Sequence, residues 1–167
     1  MRKIIIGVMG PGEKATAHDL QNAYQLGKLI AQQGWILLTG GRNVGVMDAA
    51  SQGAKSAQGL VLAILPDDNK KGISEAVDIA IFTDMGNARN NINVLSSDVV
   101  IACGMGAGTA SEIALALKAN KQVILWNDDP ESQVFFKKLS PLVYVVDEVD
   151  CAIALIQDYL RIICINT

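Results

Sequence analysis

A chain of 167 residues, half of them apolar, is the size of one domain and can bury one sizeable core. Its net charge of −3, its 19% of charged residues and the lack of a Lys/Arg block speak against nucleic acid or an anionic membrane surface as a partner. So few charges also predict a homo-oligomer, dimer or tetramer, that hides surface a single subunit would leave open.

No apolar run approaches the roughly 20 residues needed to span a bilayer. The opening MRKIIIGVMG reads as a first strand rather than a signal peptide, because Gly7 cuts its apolar run and no small-residue cleavage site follows. Cys103, Cys151 and Cys164 are an odd set without C-x-x-C spacing or a surrounding metal-ligand cluster. They fit free thiols in a reducing cytoplasm, with no metal site.

In chain order, residues 3–10 form a buried strand ending in Gly10-Pro11-Gly12. Residues 18–34 place Leu20, Ala23, Tyr24, Leu26, Gly27 and Ile30 at helical spacing, with Gly34 closing the helix. A strand follows over 35–41, then an Ala- and Ser-rich helix over 45–59. A third strand, 60–66, stops at Pro66, and 78–84 makes a short fourth. A helix over 87–98 leads to the strand 99–104. A helix over 109–120 carries Ser111 and Glu112 in its first turn. The alternation continues through strand 122–127, helix 131–140, strand 143–147 and helix 149–162, with a turn at Asp128-Asp129. Trp35, Trp126, Phe135 and Phe136 read as core or interface, His18 as a surface residue. The Ala-rich helices 87–98 and 109–120 are the expected subunit interface.

Unbroken apolar strands alternating with helices imply a parallel sheet covered on both faces. The expectation is an α/β protein: one Rossmann-like, doubly wound parallel sheet in a three-layer α/β/α arrangement, with 1–167 as a single domain. In such sheets ligands bind beyond the carboxyl ends of the strands. Gly10-Pro11-Gly12, Gly40-Gly41, Gly86 and the 104–108 turn all fall at those ends, and that convergence is the main functional signal.

Gly10 and Gly12 permit close approach of a ligand to the backbone, though a plain turn between strand and helix would look the same. Neither GxGxxG nor GxxxxGK[ST] occurs, which disfavours an NAD enzyme or a P-loop NTPase. In LLTGGRNVGVMDAA, Thr39 and Gly40-Gly41 end a strand and Gly45-Val46-Met47 opens a helix whose free amides suit a phosphate. Arg42 either adds a donor fork or is a solvated loop residue. Arg89, Asn90, Asn91 and Asn93 cluster at a helix start, where one cap would do. They could read a polar ring or sugar, or bond across an interface. Gly104-Met105-Gly106-Ala107-Gly108 can wrap an anion with backbone amides, and Thr109 adds a hydroxyl. Glu112 completes a Thr109-x-x-Glu112 capping box, or binds ribose hydroxyls, or stabilises an oxocarbenium ion. The Cys103 thiol beside this turn reads as buried and inert rather than as a metal ligand.

Together these elements resemble the Lonely Guy superfamily, the lysine-decarboxylase-like Rossmann proteins, which include cytokinin riboside monophosphate phosphoribohydrolases. Its GGxxGxM turn matches Gly40-Gly41-Arg42-Asn43-Val44-Gly45-Val46-Met47 with one residue inserted. The end of its PGGxGTxxE motif matches Gly106-Ala107-Gly108-Thr109-Ala110-Ser111-Glu112. Arg89 precedes Glu112 at a spacing like that of the superfamily's catalytic Arg and Glu. The motif's Pro-Gly is Gly104-Met105 here, and Asn90 replaces a basic residue.

IIGVMGPG, GWILLTGGRNVGVM, ARNNINVLSS and GMGAGTASEIALALK are more similar still to the molybdenum-cofactor carrier proteins of algae and related cyanobacterial proteins, over at least residues 4–125. This resemblance implies a homo-oligomeric carrier that binds and protects molybdopterin without turning it over, working with molybdoenzymes or cofactor-synthesis proteins. Gly40–Gly45 and Gly104–Thr109 would hold the anionic end, Arg42 and Arg89 would supply charge, and Asn90 and Asn91 would read the heterocycle. The full implied binding set is Gly10, Pro11, Gly12, Thr39, Gly40, Gly41, Arg42, Gly45, Val46, Met47, Arg89, Asn90, Asn91, Gly104, Met105, Gly106, Ala107, Gly108, Thr109 and Glu112. The alternative implied by the wider superfamily is a nucleoside 5′-monophosphate phosphoribohydrolase, with Arg89 on the phosphate and Glu112 at the ribosyl cation.

Overall fold

A computed structural model describes residues 2–126 and 129–165, with side chains to residue 162. The predicted strand end at Asn127, the turn residue Asp128 and the Cys164 thiol lie outside the described residues.

The strands are β1 (Ile5–Met9), β2 (Ile36–Thr39), β3 (Val61–Leu65), β4 (Ile79–Phe82), β5 (Val99–Cys103), β6 (Val123–Trp126) and β7 (Val143–Val145). The helices are α1 (Ala17–Gln32), α2 (Gly45–Ser56), α3 (Asn90–Ser96), α4 (Ala107–Lys118), α5 (Pro130–Leu139) and α6 (Val149–Ile165), with a 3-10 turn at Gly86–Arg89 ahead of α3. The sheet is parallel throughout, in the order β4-β3-β2-β1-β5-β6-β7. The chain winds outward from β1 through β2 to β4, then crosses back to lay β5 on the other side of β1.

Because side chains alternate across a strand, the apolar runs feed two separate cores. Ile6, Val8, Leu37, Ile101 and Ile124 meet α1, α2 and α6 on one face. Leu38, Val100, Ala102, Val123 and Leu125 meet α3, α4 and α5 on the other. This is the three-layer α/β/α architecture the alternation predicts.

Local chemistry sets the helix starts. Thr16 caps α1 by accepting from the Asp19 amide at 3.1 Å, while the Asp19 carboxylate accepts from the Thr16 amide at 2.9 Å, so the helix begins one residue earlier than the periodicity suggests. Pro130, at the first position of α5, follows the capping Asp129. Ala23, Leu26, Gly27 and Ile30 are buried as expected, but Leu20 and Tyr24 point outward. The α1–α2 contact is close enough that a Cβ on Gly27 would lie 2.0 Å from the Ala50 carbonyl oxygen, and one on Gly53 2.0 Å from that of Tyr24. Trp126 and Phe136 are buried, Trp35 is half-buried, and Phe135 is exposed.

Two aspartates tie strand entries to their neighbours. Asp98, just before β5, accepts from the Ile5 amide at 2.9 Å and from Arg2. Asp78, just before β4, accepts from the Val61 amide at 2.9 Å and from Lys55. Burial pushes the Asp78 carboxyl up, but the bonds from Lys55 and Val61 outweigh it and leave it below the ordinary 3.8. A carboxyl lowered in the fold stabilises above its unfolded value, and that contribution disappears as the pH falls through the folded one. Asp78→Asn is therefore expected to lose stability at pH 6 and to flatten the acid limb below about pH 4, as read from denaturant melts across pH.

Candidate ligand site at the strand tips

The sheet order reverses between β1 and β5, and this is where an open α/β sheet leaves a crevice beyond its carboxyl ends. A cavity of about 150 Å³ lies there. Gly10, Gly40, Met47, Arg89, Asn90, Gly108, Thr109 and Glu112 line it, gathered from the tips of β1 and β2 and the starts of α2, α3 and α4. Val8, Met9 and Asn87 line it as well. The first two were legible only as strand core, and Asn87 only as one more asparagine near a helix start.

The other residues of the expected set shape the rim from outside the cavity. Pro11 accepts from the Val46 amide at 3.0 Å, and Gly45 (φ +60°) packs so tightly on Pro11 and Gly12 that a Cβ would lie 2.4 Å from the Pro11 oxygen. Thr39 accepts from the Gly41 amide at 3.0 Å and is wholly buried, holding the turn. Gly104 abuts the Asp19 side chain, and Gly106 is the cap residue of α4. Met105 and Ala107 frame the same turn, with Met105 packed on the core of the α3–α5 face and Ala107 opening α4. Two residues stand apart. Asn91 is exposed on α3 away from the cavity. Arg42 is also exposed and pairs with Asp67 at 3.1 Å over a neighbouring recess.

The helix α4 opens at Ala107, two residues earlier than expected, so Ala107 and Gly108 are helical. Glu112 therefore sits in the second turn, and the capping-box reading fails: no side chain caps α4. Instead Glu112 turns toward the helix next door. Its Oε1 accepts from Asn93 Nδ2 at 2.9 Å and lies 3.5 Å from Arg89 Nη1. Arg89 Nη1 also donates to Asn90 Oδ1 at 2.8 Å, and Asn90 Nδ2 donates to Ser111 at 3.0 Å. The asparagine cluster thus stitches α3 to α4, and Asn93 anchors the buried carboxylate. Burial pushes the Glu112 carboxyl up, against the pull of the Asn93 bond and of Arg89. Burial likewise pulls the Arg89 guanidinium down, against the attraction of Glu112.

Three polar atoms here have no partner among the described residues: Thr109 Oγ1, in a residue 2% exposed, Arg89 Nε and Asn93 Oδ1. A buried hydroxyl without a hydrogen bond costs about 1–3 kcal/mol. It sits at the first turn of a 12-residue helix, beside amides that have no intrahelical acceptor, an arrangement chemically suited to an anion. Arg89 lines the same cavity, its charge paired with Glu112.

Cys103 takes no part. Its thiol donates to the Asp19 carbonyl at 3.4 Å, and burial, aided by the Asp19 charge, raises it to about 12. Among the described residues no three His, Cys, Asp or Glu side chains gather to hold a metal ion.

Fold and site together define a Rossmann-like α/β protein with a polar cavity, lined by Arg89, Asn90, Thr109 and Glu112, at its topological switch point. The chain belongs to the SLOG cluster4 family, whose model matches residues 3–153. It is similar to the molybdenum cofactor binding protein of the phototrophic bacterium Rippkaea orientalis, at 64% identity and a TM-score of 0.95 over 96% of this chain and 99% of that one. It is also similar to the molybdenum cofactor carrier protein of Chlamydomonas reinhardtii, at 51% identity and a TM-score of 0.90 over the same shares. An uncharacterized protein of Archaeoglobus fulgidus is 51% identical over 124 residues, covering 74% of this chain and 80% of that one.

Proposed function

We propose that this protein is a homo-oligomeric carrier that binds the molybdenum cofactor, protects it and passes it on without chemical change. The observation that carries the reading is the likeness, across nearly the whole chain, to proteins that bind or carry that cofactor. The site supports it: molybdopterin ends in a phosphate, and the Thr109 hydroxyl, the α4 amides and Arg89 offer what a phosphate needs. At about 150 Å³ the cavity is below the usual range of about 300–1,000 Å³ for ligand pockets, so it takes the phosphate end and leaves the heterocycle outside. Recipients would be molybdoenzymes or cofactor-synthesis proteins in the cytoplasm. No helix among the described residues is long and apolar enough to cross a membrane. Ile79 and Ile81 on β4 and Leu95 on α3 are about half exposed, which supports assembly of copies as a dimer or tetramer.

Mass spectrometry of natively purified protein tests the reading, and a phosphorylated pterin should be released on denaturation. In Thr109→Val the cradle loses its hydroxyl but keeps its shape. Retention of a phosphorylated pterin should fall at least about tenfold, while the fold gains about 1 kcal/mol because the orphaned hydroxyl is gone. Base release from AMP that is lost in Glu112→Gln, with no pterin retained, would overturn the carrier in favour of a phosphoribohydrolase.

A further inference from the structure

An open recess of about 540 Å³ lies on the same rim as the cavity, lined by Glu13, Arg42, Asn43, Asp67, Asn69 and Lys71 from the loops after β1, β2 and β3. Gly40 lines the cavity and Arg42 the recess, so one short turn separates them.

The recess has a built frame. The Asn43 amide donates to Gly72 at 2.8 Å and the Ser74 amide to Gly41 at 2.9 Å, so the loops after β2 and β3 are zipped together. On that frame Arg42 Nη2 and Asp67 Oδ2 are 3.1 Å apart, each side chain about half open to solvent. Side by side they present two carboxylate acceptors and a guanidinium donor. A 2-amino-4-oxopyrimidine edge presents the complement in order: an amino donor, a ring N–H donor and a carbonyl acceptor. Glu13, Asn43 and Lys71 surround the pair with further polar groups, as a flat heterocycle with several edge heteroatoms requires.

We propose that this recess is the heterocycle subsite, with Asp67 accepting from the amino group and ring N–H of a pterin and Arg42 donating to its carbonyl. The proposal rests on the carrier reading and gives it a specificity that the cavity lacks, since any phosphomonoester can enter a phosphate cradle. It also moves Arg42 from the phosphate to the ring. Guanine carries the same edge as a pterin, and adenine does not.

The test titrates the full chain with four probes: a 6-substituted pterin bearing a phosphomonoester, GMP, AMP and inorganic phosphate. The parent should hold the pterin phosphate at least about tenfold tighter than AMP, the effect of one or two hydrogen bonds to charged groups. Asp67→Asn, an exposed and nearly isosteric change, should lose at least about tenfold for the pterin phosphate and for GMP while binding inorganic phosphate as the parent does. If Asp67→Asn holds the pterin phosphate as tightly as the parent, while Thr109→Val releases it, the recess assignment falls and the carrier reading stands. A parent that binds GMP tighter than the pterin phosphate overturns the pterin assignment. A parent that retains no pterin phosphate overturns the carrier reading and this proposal with it.

Discussion

Arg89→Ala is expected to unfold about 3 kcal/mol more easily than the parent at pH 8. Its guanidinium and the Glu112 carboxylate lie 3.5 Å apart with side chains only 12% and 7% exposed, so removing one leaves the other as a buried, uncompensated charge. Glu112 would keep only the Asn93 bond. The expected figure is at the low end of the range for broken buried pairs, because burial already pushes the Glu112 carboxyl up and lets it take a proton instead. The sign of the pH dependence follows. A carboxyl raised in the fold contributes stability that is full below its unfolded value and is lost as the pH rises through the folded one. Removing Arg89 raises it further, so the penalty should shrink on acidification and grow toward neutral pH. Adding Glu112→Gln should recover most of the loss, since a neutral amide needs no counter-charge. Denaturant melts of the two single variants and the double variant, at pH 5 and pH 8, measure all of this. An Arg89→Ala variant within about 1 kcal/mol of the parent at pH 8 would mean that water, not Arg89, carries the burden of the carboxylate.

Gly27→Ala and Gly53→Ala are expected to destabilise by about 3 kcal/mol each, the opposite of what helix propensity dictates. In an exposed helix interior the same change gains up to about 1 kcal/mol. Here each new methyl would lie 2.0 Å from a carbonyl oxygen of the facing helix. The obstacle is backbone, which cannot swing aside as a side-chain tip can, so α1 and α2 would have to separate. That would open the core formed by Ala23, Leu26, Val46, Ala50 and Ala54. Thermal melts of both variants test this, and a neutral or stabilising result would show that the helices have room to part.

The layers and strand positions were readable because strands buried on both faces leave unbroken apolar runs, as in Val61–Leu65 and Val99–Cys103. The convergence of glycine turns on one rim was readable for a related reason: in a parallel sheet every strand tip points the same way. What escaped was set by contacts between segments distant in the chain. Ala107 and Gly108 looked like loop because glycine disfavours helix, yet the turn lies beside Pro11, in the loop after β1, and Ala107 and Gly108 are taken into α4. That two-residue shift moved Glu112 off the helix start and into the α3 contact. Asn93 could be seen as polar but not as the partner of a carboxylate on α4. The reach of Arg42 toward Asp67 depends on how the loops after β2 and β3 pair, and nothing local to GGRNVG encodes that.

The pairing of β1 with β5 has a consequence for biosynthesis. Ile6 faces Val99 and Met9 faces Ala102, so a ribosome must deliver the chain through β5 before the central seam can close. Until then the first four strands can associate, but the cavity lacks Gly108, Thr109 and Glu112, which α4 brings. On the carrier function proposed above, loading therefore waits until synthesis has passed α4, and a product truncated before that helix has no site to load.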